Sequence, residues 1–255
     1  PAPWTAAEAP RPIAVGTGAS SAVAPAGAKV INFARFDMDY QVENGPSGVS
    51  RVDLYVTRDE GRSWSRWSQH DGRETPLRVA LDTRANPQLE GDYGFRLVPV
   101  SGAGLSDGAP TAGNTPDFRV HIDTTPPVVK VYQPTGDPAQ RNVLNLHWEA
   151  TDRNFGADPI SIEWSEQPTG PWKSVTSQDV VPVVAGAGAG NGHRVANSGN
   201  YAWNLPAGLA THKVFLKFTA VDLAGNRSEV VTPSPVMVDL TKPRAKIQGI
   251  LTARP

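Results

Sequence analysis

The sequence predicts an all-β protein made of two tandem β-sandwiches behind an extended N-terminal arm. Three observations carry this expectation. The 255 residues include 24 Gly and 24 Pro, more chain punctuation than a helix-rich protein carries, and no collagen period accompanies it. Apolar residues alternate with polar ones over short runs between turn residues. The chain also repeats itself at about 108–121 residues, a period too long for a solenoid and right for tandem domains.

The repeat is read from matched segments. Val52-Asp53-Leu54-Tyr55-Val56 followed by Trp64 corresponds to Ile160-Ser161-Ile162-Glu163-Trp164 followed by Trp172. Tyr93–Val100 followed by Ser101-Gly102-Ala103-Gly104 corresponds to Val214–Val221 followed by Asp222-Leu223-Ala224-Gly225-Asn226. Each unit closes on a strand and a proline boundary, Val120-His121-Ile122-Asp123-Thr124-Thr125-Pro126-Pro127 and Val236-Met237-Val238-Asp239-Leu240-Thr241-Lys242-Pro243. These matches divide the chain into an arm over 1–29, a first sandwich over 30–125, a second over 126–243, and a terminal strand or tail over 244–255.

In the first unit Phe36, Met38, Tyr40 and Val42 alternate with Asp37, Asp39 and Gln41. Further strands are expected over Val49–Thr57, Trp64–Ser68, Leu77–Leu81, Tyr93–Val100 and Phe118–Ile122. In the second, Leu144, Leu146 and Trp148 alternate in the same way. Strands are expected there over Val128–Tyr132, Ile160–Ser165, Trp172–Thr176, Tyr201–Asn204, Lys213–Val221 and Val236–Val238. Six or seven short strands per unit is the pattern of an immunoglobulin-like or fibronectin type III-like sandwich. The absence of cysteine sets aside the disulfide of antibody domains.

The boundary Asp123-Thr124-Thr125-Pro126-Pro127 and the turn Asp222-Leu223-Ala224-Gly225-Asn226 resemble those of bacterial Ig-like repeats in secreted and cell-envelope proteins. Gly45-Pro46-Ser47-Gly48-Val49, the Thr57–Trp64 segment, and Tyr93-Gly94-Phe95-Arg96 with Ser101–Ser106 are similar to a group with two such domains in tandem. The resemblance covers roughly residues 30–250. It implies the fold and an extracellular or envelope location, in the periplasm or at the cell surface. It carries no catalytic residue to transfer.

Composition narrows the function classes. Apolar residues make up 39%, enough for a core and against wholesale disorder. A net charge of −1 gives no electrostatic footprint for nucleic acid or an anionic membrane. No apolar run approaches the roughly 20 residues of a membrane span. The absence of cysteine also removes thiolate metal sites and cysteine nucleophiles. The first residue is Pro1 rather than Met, so a mature chain freed of its leader is expected.

Three segments lie outside the repeat. Residues 1–29 are rich in Ala, Pro, Gly and Ser and read as an arm, in which Pro12-Ile13-Ala14-Val15 stands where Pro127–Val131 stands in the second unit. Residues 177–199 form a long Gly/Ala-rich insertion, read as a solvated loop. Arg244–Ile250 stands in the register of Val128–Tyr132, as though a third unit began. That strand either folds back on the second unit or adds to a sheet edge of another chain.

Candidate chemistry is sparse. Thr57-Arg58-Asp59-Glu60-Gly61-Arg62-Ser63-Trp64 fits the Asp-box pattern of sialidase blades, degenerate at Ser165–Trp172 where Gln167 replaces the aspartate. A single box is a hairpin device, so Asp59, Gly61 and Trp64, like Asp222, Gly225 and Asn226, are expected to be structural turn residues. Gly104-Leu105-Ser106-Asp107-Gly108 matches a nucleophile elbow but lacks the helix such a serine needs. His70, His121, His147, His193 and His212 show no metal-ligand spacing and are expected in solvent or on strand surfaces. Asp37 and Asp39, with Asp123 or Asp152 near the unit boundary, are the acidic groups that would suit Ca²⁺, though no EF-hand loop is present. Alternation points Trp64 inward and Trp67 outward, and the candidate ligand or partner contacts are Trp67, Ile247 and Ile250.

The expectation is a non-catalytic structural or adhesive module of the bacterial envelope or extracellular space, with no cofactor. Its partners are other envelope or extracellular proteins or copies of itself. A carbohydrate-binding module using Trp67 and the 177–199 loop is the alternative. An accessory subunit of an envelope enzyme complex is a weaker one.

Overall fold

The computed structural model describes residues 27–43, 45–71, 76–140, 142–176, 194–206, 209, 212–238, 246 and 248. The expected strand at Pro12–Val15, most of the 177–199 loop, Ile247 and Ile250 lie outside these residues. The protein is all-β: strands account for 51% and the only helical turn among the described residues is Pro87–Leu89.

The N-terminal half contains β1 (Lys29–Ile31), β2 (Arg35–Met38), β3 (Val49–Thr57), β4 (Ser65–Asp71), β5 (Leu77–Ala80), β6 (Gly91–Ser101) and β7 (Phe118–Ile122). Five of them form a sheet in the order β1-β7-β6-β3-β4, with β1 parallel to β7, while β2 and β5 make a two-stranded sheet. Inward residues of both sheets, Leu54, Leu77, Val79, Phe95, Val120 and Ile122 among them, form one core. Each such side chain taken out of water contributes about 1.5–3 kcal/mol.

The C-terminal half contains β8 (Val128–Val131), β9 (Thr135–Gly136), β10 (Val143–Thr151), β11 (Phe155–Ser165), β12 (Lys173–Ser174), β13 (Arg194–Val195), β14 (Asn200–Asn204), β15 (Lys213–Asp222), β16 (Arg227–Val231) and β17 (Val236–Met237). One sheet runs β14-β10-β8, with β9 also on β10. The other runs β12-β11-β15-β16, with β13 on β11 and β17 on β15. A second core lies between them, built on Leu146, Trp148, Ile162, Trp203, Leu216 and Phe218. Trp148 leans on Phe218 and Trp164 on Trp203, each pair 5.9 Å between ring centres, a spacing favourable for aromatic rings.

Several boundaries differ from the alternation reading, each for a local reason. β2 stops at Met38, opposite Leu77 where its ladder partner β5 begins, although the period-2 pattern runs on to Val42. β11 starts at Phe155 rather than Ile160, through an irregularity between those residues that contains Pro159. Proline has no N–H for the ladder and is confined to such places or to edges. β4 runs from Ser65 to Asp71, later than Trp64–Ser68, and Trp172–Thr176 shortens to Lys173–Ser174. β1, β9, β13 and β16 were not among the expected strands.

Candidate functional site

The most heavily constructed place among the described residues is where the two halves meet. Asp123 follows β7, and its N–H donates to the Ile31 carbonyl on the parallel neighbour β1 (3.0 Å). Asp152 lies just beyond β10 in the turn to β11, and Asp222 ends β15 at the turn to β16. The fold thereby brings one carboxylate oxygen from each of Asp123, Asp152 and Asp222 within 4.8 Å of the others. Asp123 and Asp222 are only 4% and 5% exposed, so charge here is held away from water.

Amides hold these carboxylates in place. The Asn154 side chain donates to Asp123 Oδ2 (2.5 Å) and its backbone N–H to Asp152 Oδ1 (2.6 Å). Asn226 donates from its backbone to Asp222 Oδ1 and from its side chain to Asp222 Oδ2, both at 2.8 Å. The same Asn226 amide donates to the Asp123 carbonyl (2.8 Å), and Ser228 Oγ donates to the Pro127 carbonyl (2.6 Å). From the first half, Glu90 accepts from Thr124 N (2.9 Å), Thr124 Oγ1 (2.5 Å) and Thr125 Oγ1 (3.0 Å). The boundary segment 123–127 is thus gripped from both sides.

The electrostatics follow from burial. Asp152 is held above the ordinary carboxylate value mainly by burial, with Asp123, Asp222 and Glu90 adding to the rise and the Asn154 amide opposing it. Asp222 is also raised, first by burial and then by Asp123, against the opposing amides of Asn226 and Gly225. Three converging carboxylates are the hard oxygen donors that a divalent cation such as Ca²⁺ takes, so Asp123, Asp152 and Asp222 are the residues that could hold one. Asp37 does not belong to this group, because its carboxylate pairs with Arg78 on the neighbouring strand (3.0 Å). Beside the cluster a groove of about 820 Å³ opens, lined by Glu90, Asp92, His121, Thr125 and Arg153 among others. His121, expected in solvent or on a strand surface, is buried there, with Nδ1 2.7 Å from Asp92 Oδ1.

The Asp-box segment folds as a turn device. Asp59 accepts from Ser63 N (2.8 Å), Ser63 Oγ (2.6 Å) and Thr57 Oγ1 (2.7 Å). These bonds, the Ser63 hydroxyl foremost, bring its pKa down to about 2. Gly61 has φ of 87° and a Cβ there would lie 2.0 Å from the Asn114 carbonyl oxygen, so the position needs glycine. Trp64 is half-buried over this turn, its indole N–H buried without a partner. In the corresponding turn Gln167 donates its backbone N–H to Ser165 Oγ (3.1 Å), and its side chain does not take the aspartate's place.

Trp67 corrects the alternation reading. The β3–β4 ladder shifts between Leu54, opposite Ser68, and Tyr55, opposite Arg66. Trp67 is the extra residue of this bulge, half-buried and packed against the first core, because a bulge turns one side chain out of sequence with its neighbours. Ser106 stands exposed in a helix-free loop, where its Oγ accepts from the Gly108 amide (3.2 Å). The part of the junction that sequence reasoning missed is Asp222 as a partner of Asp123 and Asp152, with Glu90 and Asn154 around them. The Asp-x-Asn spacing of Asp152 and Asn154 was a signal for it, whereas Asp222 was read only as a turn residue.

No family model and no curated protein matches the chain. Among solved structures, the chain is similar to the crystal structure of a tetra-tandem repeat in the extending region of a large adhesion protein. The identity is 13% and the TM-score 0.33, over 75% of this chain and 42% of that one. No helix among the described residues is long and apolar enough to cross a membrane.

Proposed function

We propose that the chain is a non-catalytic structural module, two immunoglobulin-like or fibronectin type III-like sandwiches in tandem. It holds a fixed geometry between neighbouring parts of an extracellular or envelope assembly and acts through protein–protein contact. The observation that carries this reading is the junction. Asn154, Asn226 and Ser228 of the second half and Glu90 of the first all bond to the five residues Asp123–Pro127. A flexible tether between independent domains has no use for such bonds. A spacer that sets distance and orientation does, and the prolines at 126 and 127 stiffen the same segment. The glycan-binding alternative loses its exposed aromatic, since Trp67 packs against the core.

Because the chain has no cysteine, two introduced ones report without background. Spin labels at Arg66→Cys and Glu166→Cys, one in each half, give the distance distribution between them. A single narrow distance is expected, broadening when Asn154→Ala and Asn226→Ala are combined. A broad distribution in the otherwise unaltered chain overturns the reading.

A further inference from the structure

The two halves finish the same sheet edge differently. In the first, Val56 pairs with Ser65 and Tyr55 with Arg66, as Trp164 pairs with Lys173 and Glu163 with Ser174 in the second. Further along, Val52 pairs with His70 and Asp53 with Gln69, where the second half has Ile160 with Val195 and Ser161 with Arg194. The second edge is thus made by two separate strands of two residues each, β12 and β13, whereas β4 runs unbroken from Ser65 to Asp71. Very short edge strands are one way in which sheets avoid pairing with other chains. The first half does without it: β4 is the longest described strand with a ladder partner on one side alone.

The residues along this edge complement themselves. Arg66, Gln69 and Asp71 are exposed and stand opposite Tyr55, Asp53 and Arg51, alternate residues of β3, so they share one face of the sheet. Strict alternation would put Arg66 on the other face from Gln69, and the bulge at Trp67 brings it round. Ser68 and His70, opposite Leu54 and Val52, share the other face. A copy of β4 turned about a two-fold axis at Gln69 therefore sets Gln69 against Gln69, Ser68 against His70 and Arg66 against Asp71. Each pair lies on one face, as an antiparallel ladder requires, and each Arg66 meets an opposite charge.

We infer that β4 is a self-pairing edge whose occupant is β4 of a second copy of this chain, the two five-stranded sheets joining into one continuous sheet. Such a contact uses the same strand on both copies. It consumes both edges and closes as a dimer, where a head-to-tail contact would grow into a filament. A contact through one pair of strands buries less than about 1,200 Å² and belongs to the weak class of interfaces. That strength suits a module held close to its neighbours in an assembly. The inference deepens the proposed function, resting on it for the choice of a protein partner and naming that partner as a second copy.

Sedimentation and cysteine cross-linking of the full chain test it. The unaltered chain, followed from about 10 μM to about 1 mM, should show a reversible monomer–dimer equilibrium. Arg66→Asp or Asp71→Arg alone sets like charges against each other and should weaken it at least about tenfold, and the two combined in one chain should restore it. Opposed residues of an antiparallel pair lie about 4.5–5.5 Å apart at Cα, within the roughly 4.4–6.8 Å that a disulfide spans. Under mild oxidation Gln69→Cys should therefore form covalent dimers at least about tenfold faster than Ser68→Cys, whose copies stand diagonally at about 7–8 Å. A mixture of Ser68→Cys with His70→Cys should cross-link as Gln69→Cys does. A monomer at every concentration overturns the inference whether or not any variant folds, and leaves the edge to a strand of another protein. So does a dimer that cross-links equally well through Ser68→Cys alone, which would place the contact elsewhere. Spin-label distances read from labelled chain diluted in unlabelled chain report the junction within one copy, so the two readings fail separately.

Discussion

The turn at Asp59 and the turn at Asp222 use the same local device in opposite surroundings. In each, an aspartate accepts the backbone N–H of the residue four positions on, Ser63 or Asn226, both at 2.8 Å, and then that residue's side chain as well. Each also contains a glycine with positive φ, Gly61 at 87° and Gly225 at 91°. Asp59 serves the turn alone, and its hydrogen bonds lower its pKa to about 2. Asp222 makes similar bonds yet is raised, because it is buried beside Asp123. Hydrogen bonding alone therefore does not decide which aspartate is at ease as an anion. Burial decides first, and the neighbouring Asp123 carboxylate adds to it.

The largest expected effect separates the two glycines. A Cβ on Gly61 meets the Asn114 backbone oxygen at 2.0 Å, whereas on Gly225 the nearest atom is the Asn32 side-chain nitrogen at 3.7 Å. Gly61→Ala should cost about 3–5 kcal/mol, from left-handed strain plus a clash with backbone that cannot swing aside. Gly225→Ala carries the strain alone, about 1–2 kcal/mol. Urea unfolding of the two variants beside the parent measures the difference, and equal costs would mean that the Asn114 loop yields.

A smaller effect separates the residues four positions on. Asn226→Ala removes the donor to Asp222 Oδ2 and to the Asp123 carbonyl, leaving acceptors of two buried residues short of a partner, at a cost of about 1–3 kcal/mol. Ser63→Ala removes a bond at an exposed site, where water replaces it, at about 0.5–1 kcal/mol. The same unfolding series measures both. An Asn226→Ala cost no greater than that of Ser63→Ala would mean that water reaches the junction.

What could be read from the sequence divides along the same line. The Asp59 turn was legible because all its parts lie within eight consecutive residues, and the core was legible because alternation reports which face is wet, as at Leu144, Leu146 and Trp148. The all-β class followed from those two signals. The junction was only half legible. Asp123 and Asp152 were placed near the boundary, but Asp222 was read as a turn. Its approach to the other two brings the end of β15 to the residues just after β7 and β10, a contact between distant segments that no local pattern encodes. Trp67 failed for a related reason: one bulged residue reverses the sense of alternation, and the cause is a ladder shift in the pairing with β3. Asp37 and Asp39 do not share a strand face, because β2 ends at Met38, and Asp37 meets Arg78 across the ladder instead.

The last contrast is one of sign in pH dependence. Asp59 has a folded value near 2 against an ordinary 3.8. The stability it contributes is therefore complete above about pH 4 and is lost as the pH falls through 2. Asp152 is raised, first by burial and then by its acidic neighbours. Its contribution runs the other way, full below about pH 4 and lost as the pH rises through its folded value. Asp59→Asn should accordingly lower the melting temperature at pH 7, with the gap to the parent closing towards pH 2. Asp152→Asn keeps an oxygen for the Asn154 amide and gives its neighbours a donor in place of a charge. It should raise the melting temperature at pH 7, with its advantage fading as the pH drops below 4. Melting curves of the three proteins from pH 2 to 7 test both signs at once. If Asp152→Asn were destabilising at neutral pH, the charge at the junction would be contributing to stability in the folded chain, and burial would not be the force that governs it.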